Sequence, residues 1–435
     1  MVSKTLVPDP IHGTIEMPKW LVNISKEKAV RRMMFIRQLG LKAYVDFPGA
    51  IHTRYSHLLG VMHLSGKIVD MLQLREQSLG RNDTAQNLKD NKNTIMAAGF
   101  LHDIGHGPFS HVLDYVLKKS INKDHEDIAS DIIDKLPDIE DHGITKSKVK
   151  SIIKGKHTFP FISQIINGPL DADKLDYLLR DAHHVGLKYS LDLEHFINHY
   201  NILGSDSSKL DKCELGLSNE YEAIVTAEIF IIIWKSMYDL VYHVENSRMA
   251  EKMLEKAIFL RIKDDDEFKK KFTNIESFIE LNDEKLFEDL KEKNGLTKEL
   301  VTRISDNKLY HNIYDDVINA TTFPGLLHNE KFLEELDTNP EELSEKLTVK
   351  LNEELKLDSY QLICDIIKSR QPKTINIDWG KNPNNEPAEL NNVSEIVAAV
   401  KGRNRIKVYA TNLEVKSKSE NLITNQISSF IDDWS

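Results

Sequence analysis

An apolar run ending at Phe100-Leu101 delivers the doublet His102-Asp103, and two further histidines, His106 and His111, follow around Gly105-His106-Gly107-Pro108. Ordinary packing does not require such an arrangement. Imidazole beside carboxylate suits a divalent transition metal of the Mn, Fe, Ni or Zn type better than Ca, which takes oxygen ligands. A doublet supplies two ligands only, so the others must come from elsewhere in the chain. Two candidates stand out. His57 lies in His52-Thr53-Arg54-Tyr55-Ser56-His57 after the Pro48-Gly49 turn, and Asp173 opens an Asp-rich helix after Gly168-Pro169. Together they would form a two-His, two-Asp set from three helices, with coordination positions left for water or a substrate oxygen.

The elements that must position these residues are mostly helical. The doublet falls in a buried helix expected over 94–103, and a second helix starts near Arg54, with Leu58, Val61, Met62 and Leu64 at helical spacing through Met71 and Leu72. Residues 26–39 read as a further helix through Ala29, Met33, Phe35, Ile36 and Leu39, and the polar stretch 75–93 as a solvated loop. Asp173, Tyr177 and Asp181 recur every four residues and line one helix face, a polar stripe suited to a cleft wall. Residues 219–260 form one or two long helices carrying the Ile-rich run 229–234, which reads as a buried helix or subunit contact. That run is far below the ~20 apolar residues of a membrane-spanning helix.

Beyond Arg261 the charge runs read as solvated helix faces, with Leu343, Leu347, Leu351 and Leu355 at four-residue spacing. Residues 1–20 suggest a turn and a short strand; 374–379 and 405–410 alternate as strands about a loop at 380–392, and 205–215 reads as another loop. The resulting expectation is a mainly α-helical fold with short N-terminal and C-terminal β-strands.

With 40% apolar and 29% charged residues, the composition is that of a globular chain. The net charge of −11 argues against a nucleic-acid partner, although residues 1–60 hold nine Lys/Arg against four acids. Two distant cysteines, Cys213 and Cys364, exclude a disulfide framework and point to a reducing, cytoplasmic setting. No signal peptide or membrane association is expected.

In their order along the chain, His57, His102-Asp103 and Asp173 resemble the H…HD…D pattern of the HD superfamily of metal-dependent phosphohydrolases. The surrounding stretches 9–16, 36–40, 47–57, 101–111 and 171–186 are similar to one branch, the deoxynucleoside triphosphate triphosphohydrolases related to the sterile-alpha-motif/HD protein. This resemblance covers roughly the first half of the chain and implies an HD-domain helical core. It makes His57, His102, Asp103 and Asp173 the metal ligands. It places His106, His111 and His125 along the triphosphate and scissile phosphorus as catalytic residues. Arg54, Lys174 and Tyr177 become phosphate and sugar contacts, Asp181 stands beside the sugar, Tyr242 keeps its place on a later helix, and Gln38 and Leu39 touch the sugar 3′-hydroxyl and crowd out a 2′-hydroxyl.

The activity implied is metal-dependent hydrolysis of dNTPs to deoxynucleoside and tripolyphosphate, with Mg a further metal candidate alongside the triphosphate and a homo-oligomer, dimer or tetramer, as the assembly. Alternatives are hydrolysis of a nucleoside monophosphate, cyclic dinucleotide or nucleic-acid end, or a non-catalytic nucleotide sensor. The organisation expected is a catalytic domain at 1–261 and a helical portion at 262–435 packed on it, with oligomer contacts from that portion and the 229–234 run. Two positions depart from the pattern. Residues 26–34 lack the acidic, glutamine and arginine pattern of an activator-nucleotide pocket. Trp234 and Tyr238 stand where the family has an Arg and a His, leaving Lys235 or Arg248 as the only candidate replacements for the arginine.

Overall fold

Leu58, Val61, Met62, Leu64, Ile68, Val69 and Leu72 recur every three or four residues and are all buried, which fixes Arg54–Ser78 as a helix with one continuous apolar face. The computed structural model describes residues 5–137, 143–204, 209–378 and 387–434. Residues 205–208 and 380–386 of the two expected loops, and Trp379 of the expected strand, lie outside the described residues. The protein is mainly α-helical with small sheets, as the sequence indicates. No helix among the described residues is long and apolar enough to cross a membrane.

In chain order the strands are β1 (Thr5–Asp9), β2 (Gly13–Met17), β3 (Tyr200–Leu203), β4 (Glu214–Leu217), β5 (His311–Val317), β6 (Leu362–Ile367), β7 (Asn376–Ile377), β8 (Ala388–Glu389) and β9 (Arg405–Ala410). Two units are formed. One comprises Met1–Tyr242, Asp265–Phe287 and Pro372–Val400; the other His243–Asp264, Glu288–Gln371 and Lys401–Ser435.

The first unit holds the helices that carry the doublet and its candidate partners. Arg54–Ser78 packs along Asn82–Leu101 and against Ala172–Val185. The polar stretch 75–93 is therefore helical apart from a short turn at 79–81, because Thr84, Ala85, Leu88 and Asn91 return to the buried side at helical spacing. The expected helix over 26–39 is also broken. Lys28–Arg31 passes into a 3₁₀ turn at Arg32–Phe35, and residues 36–38 become extended, since Gln38 N–H donates to His52 O (3.1 Å) and Arg54 N–H to Ile36 O (2.9 Å). That short pairing lays Gln38 and Leu39 beside the start of the Arg54–Ser78 helix. β1 and β2 form an antiparallel hairpin, and β3-β4-β7-β8 a four-stranded sheet in which β4 and β7 run parallel. The strand expected over 374–379 is confined to β7 within the described residues.

The second unit packs Leu343, Leu347 and Leu351 of the Pro340–Glu354 helix on the antiparallel sheet β5-β9-β6. On the same helix Ser344, Thr348 and Asn352 reach the outer edge of β6. Ser344 Oγ accepts from Ile366 N–H (2.8 Å), Thr348 Oγ1 accepts from Cys364 N–H (2.9 Å), and Asn352 Nδ2 donates to Leu362 O (3.0 Å).

Candidate metal centre

The Asn82–Leu101 helix stops at His102, so the doublet leaves a helix end and 102–110 is a string of turns. Two backbone positions around the candidate site, one in these turns and one on the Arg54–Ser78 helix, need the absence of a side chain. A Cβ at Gly105 would lie 1.9 Å from His125 O, and one at Gly60 1.8 Å from Asp176 Oδ1, so the chain approaches closely at both. His57 sits in the first turn of its helix and Asp173 in the first turn of Ala172–Val185, which Asp171 caps by accepting from Lys174 N–H (2.8 Å).

These elements bring the four candidate ligands together. His57 Nε2 is 3.0 Å from Asp173 Oδ1 and 3.8 Å from Asp103 Oδ2, and His102 Nε2 is 3.3 Å from Asp103 Oδ1 and 3.5 Å from Asp173 Oδ1. His57, His102 and Asp103 offer ligand atoms all within 4.8 Å of one another. The outer ring nitrogens decide the tautomers. His57 Nδ1 donates to Asp176 Oδ2 (2.8 Å) and His102 Nδ1 to Gly99 O (2.9 Å), because neither acceptor has a proton to give. Both Nε2 atoms are buried, have no hydrogen-bond partner among the described residues, and face carboxylate oxygens. Lone pairs opposed in this way call for a cation, and two imidazole nitrogens with carboxylate oxygens fit a first-row divalent metal.

The electrostatics favour positive charge at the same point, whether a proton on His57 Nε2 or a bound cation supplies it. Burial alone would lower His57, yet Asp173 and Asp176 push it up to about 10. Burial would raise Asp103, but His102, Arg54 and His106 hold it well below the usual carboxylate range. Burial likewise opposes ionisation of Asp173, which His102 and His57 outweigh, so its carboxyl is lowered.

Around this centre, Arg54 ion-pairs with Asp103 and its Nε donates to Ser110 Oγ (3.1 Å). His106 Nε2 lies 3.4 Å from Asp103 Oδ1, and the His106 ring stacks on His125 at 4.1 Å. Both rings meet one oxygen of Asp114, at 3.2 and 3.1 Å. Despite burial, that carboxylate pushes His125 up to about 9, so it carries a positive charge at neutral pH. His111 is further out, with its side chain 76% exposed and Nδ1 3.9 Å from Asp114. Lys174 Nζ donates to Gly168 O (2.8 Å) and pairs with Asp171. Asp181 accepts from His52 Nε2 (2.7 Å) and from the Tyr242 hydroxyl (2.8 Å), so both its oxygens serve to position neighbours. Tyr177 and Tyr242 meet edge to face at 6.0 Å, and Tyr242 continues into Tyr238 and Trp234. Gln38 Oε1 is buried without a hydrogen-bond partner among the described residues.

Several supporting residues carried no clear signal in the sequence. Asp176, wholly buried, accepts from His57, from His12 Nε2 (2.6 Å) and twice from Arg180 (2.8 Å each), and Arg180 also grips Asp9. His12 thus buttresses the carboxylate behind His57 as well as its own turn. Asp114 is three residues after His111, a spacing that could have drawn attention to it. Asp283 comes from the highly charged region past Arg261, where Phe268, Phe272 and Phe278 are in fact buried. Its carboxylate accepts from Arg37 N–H (2.9 Å) and Phe109 N–H (3.0 Å), tying the Gln38-Leu39 segment to the turn before His111. Phe109 and Ser110 have φ of 54° and 46°, conformations costly for non-glycine residues, and Phe287 packs on Phe109 at 4.6 Å.

An asparagine at 283 has one acceptor oxygen for two N–H groups. Asp283→Asn is expected to cost about 1–3 kcal/mol, seen as an earlier denaturation midpoint. Burial pushes the Asp283 carboxyl up to about 6, above its ordinary 3.8, against the pull of its two N–H bonds. The stabilisation linked to that proton is complete below about pH 4 and is lost as pH rises through about 6. The wild-type advantage over Asp283→Asn should shrink across that interval; a constant difference would show that the carboxyl does not titrate there.

The four candidate ligands fall within a region matched by a known domain. The HD domain model matches residues 54–181 and the HD associated region model residues 208–423, so similarity extends well past residue 262, where the sequence showed only helical character. The chain is 28% identical over 321 residues to the deoxynucleoside triphosphate triphosphohydrolase SAMHD1 homolog of Dictyostelium discoideum, covering 70% of this chain and 56% of that protein. It is 28% identical to an uncharacterised protein of Mycoplasma genitalium, over 93% of this chain and 96% of the relative. Human SAMHD1 is 30% identical over 46% of this chain and 37% of its own length. The chain thus spans little more than half of the Dictyostelium relative. Among solved structures, a hypothetical protein from Aquifex aeolicus has a TM-score of 0.71 at 22% identity, covering 98% of this chain and all of that one. A phosphohydrolase from Bacteroides thetaiotaomicron gives 0.69 at 22% identity, covering 94% and 100%, and both share the fold. The chain belongs to the HD-domain phosphohydrolase family, with the HD associated region following its HD domain.

Proposed function

We propose that this protein hydrolyses deoxynucleoside triphosphates to deoxynucleoside and tripolyphosphate at the His57, His102, Asp103, Asp173 centre. The observation that carries the reading is the convergence of that donor set with buried Arg54 and partly buried Lys174, two cations that can neutralise a phosphate chain. The names of the Dictyostelium and human relatives point the same way. A divalent metal bound by these four residues would supply Lewis-acid polarisation of a phosphoryl oxygen.

The chain's own groups account for the rest. Arg54 and Lys174 bind and orient phosphate oxygens. His125, kept charged by Asp114, adds positive potential beside His106. His106 and the more exposed His111 are placed to hold or deliver a proton at the leaving oxygen. Gln38, with its buried oxygen unpartnered among the described residues, and Leu39 close the sugar side against a 2′-hydroxyl. Tyr177 and Tyr242 supply an aromatic wall. The working form is a cytoplasmic homo-oligomer, with Ile229 (40% exposed) and Ile232 (46%) as contact residues on the Tyr221–Met237 helix.

The test is a panel of dNTPs, NTPs and monophosphates with Mn or Mg, with products identified by chromatography. Deoxynucleoside and tripolyphosphate are expected. Orthophosphate from monophosphates, with dNTPs untouched, would instead assign a monophosphatase.

A further inference from the structure

A triphosphate brings about four negative charges, and charge-assisted contacts along its length are what would hold it. The outer end of the site has an evident shortage. Trp234 is buried, packs tilted against Tyr238 at 4.5 Å and, as an indole, offers no charge. Neither candidate replacement is available. Lys235 is ion-paired with Asp239 one turn on, and Arg248, in the second unit, is held by both oxygens of Asp365.

A different cation stands nearby. Lys373 Nζ donates to Asn167 Oδ1 at 3.2 Å, and no carboxylate pairs with it among the described residues. Asn167 precedes Gly168, whose carbonyl receives Lys174 Nζ, so two ammonium groups attach to adjacent residues of one turn. Lys174 in turn follows Asp173, which faces both His57 and His102. The placement is built in. β7 pairs with β4 at Leu217 and Ile377, Asp378 N–H donates to Leu217 O (2.9 Å), and Leu215 N–H donates to Gln164 Oε1 (2.6 Å), joining β4 to the helix before the turn. Asn167 Nδ2 donates to Ile153 O (3.2 Å), which fixes the amide with its oxygen toward Lys373. Partial desolvation and the like charge of Lys174 lower the proton affinity of Lys373, against the pull of Asp171, Asp173 and Glu126.

We infer that Lys373 is a further substrate-binding residue of this site, taking the outer phosphates of a polyphosphate chain whose inner phosphates lie by Lys174. The inference rests on the triphosphate reading above. It assigns to a residue far along the chain from both Lys174 and Trp234 the charge that Trp234 does not supply.

Calorimetric titration of the full chain, equilibrated with Mn, against inorganic tripolyphosphate and against orthophosphate tests it. Lys373→Ala is expected to weaken tripolyphosphate binding about tenfold and leave orthophosphate binding and metal content as in the wild type. Lys373→Arg should restore most of the affinity, which a general structural defect would not allow. Wild-type affinity for tripolyphosphate in Lys373→Ala, or equal losses for both anions, would overturn the assignment. Wild-type protein that binds no tripolyphosphate would overturn the triphosphate reading itself, and this inference with it.

Discussion

Asp103→Ala should leave the protein without stoichiometric metal and slow phosphoester hydrolysis by about a thousandfold or more, the scale expected when Lewis-acid and electrostatic stabilisation are both removed. Asp103 is the shared anion of the centre. It pairs with Arg54 and faces His57, His102 and His106 within 3.8 Å. Taking it away removes a ligand and leaves a buried guanidinium whose remaining contact is with Ser110. Asp103→Asn separates the two losses, since it keeps the shape but not the charge. Elemental analysis and turnover are the measurements, and stoichiometric metal in both variants would sink the ligand assignment.

The second large effect falls on stability. Asp176→Ala is expected to cost about 3–5 kcal/mol, because breaking a buried ion pair leaves its partner uncompensated. Arg180 would keep only Asp9, and His57 and His12 would each lose an acceptor. Burial opposes ionisation of Asp176, but Arg180, His12 and His57 prevail and hold it well below the usual range. The stabilisation from this depressed carboxyl is present above about pH 4 and fades as pH falls toward its folded value. The gap between wild type and variant should therefore narrow on acidification. Chemical denaturation at several pH values measures this, and a penalty under about 1 kcal/mol at neutral pH would mean that the network is not acting as a unit. Metal affinity should also fall, by about 10–100-fold, as outer-shell substitutions commonly produce.

The candidate ligands stand out in the sequence because His and Asp advertise their chemistry and three of the four lie in recognisable helical settings. Their supports were hidden. Asp176 meets His12 across 164 residues and Arg180 meets Asp9 across 171, separations over which periodicity carries no information. Asp283 looked like one acid in a charged helix because its partners are backbone N–H groups, which no residue type announces. Polar composition disguised the helix through 82–93, where four buried residues are enough to set the face. The opposite error arose at 36–38, where an apolar pattern compatible with a helix yields to pairing with 52–54. The composition of the two units was equally out of reach, since each draws on three separate stretches of chain.

The polar ladder from Ser344, Thr348 and Asn352 has a consequence for solubility. β6 lies at the border of its sheet and is buried along all six residues, Leu362-Ile363-Cys364-Asp365-Ile366-Ile367, a mostly apolar segment of the kind that templates growth of β-aggregates. Because the side chains of one helix already occupy the outward N–H groups of Cys364 and Ile366 and the carbonyl of Leu362, those three rungs are closed to an incoming strand. Covering that border removes an aggregation hazard without a gatekeeper proline or lysine inside the strand.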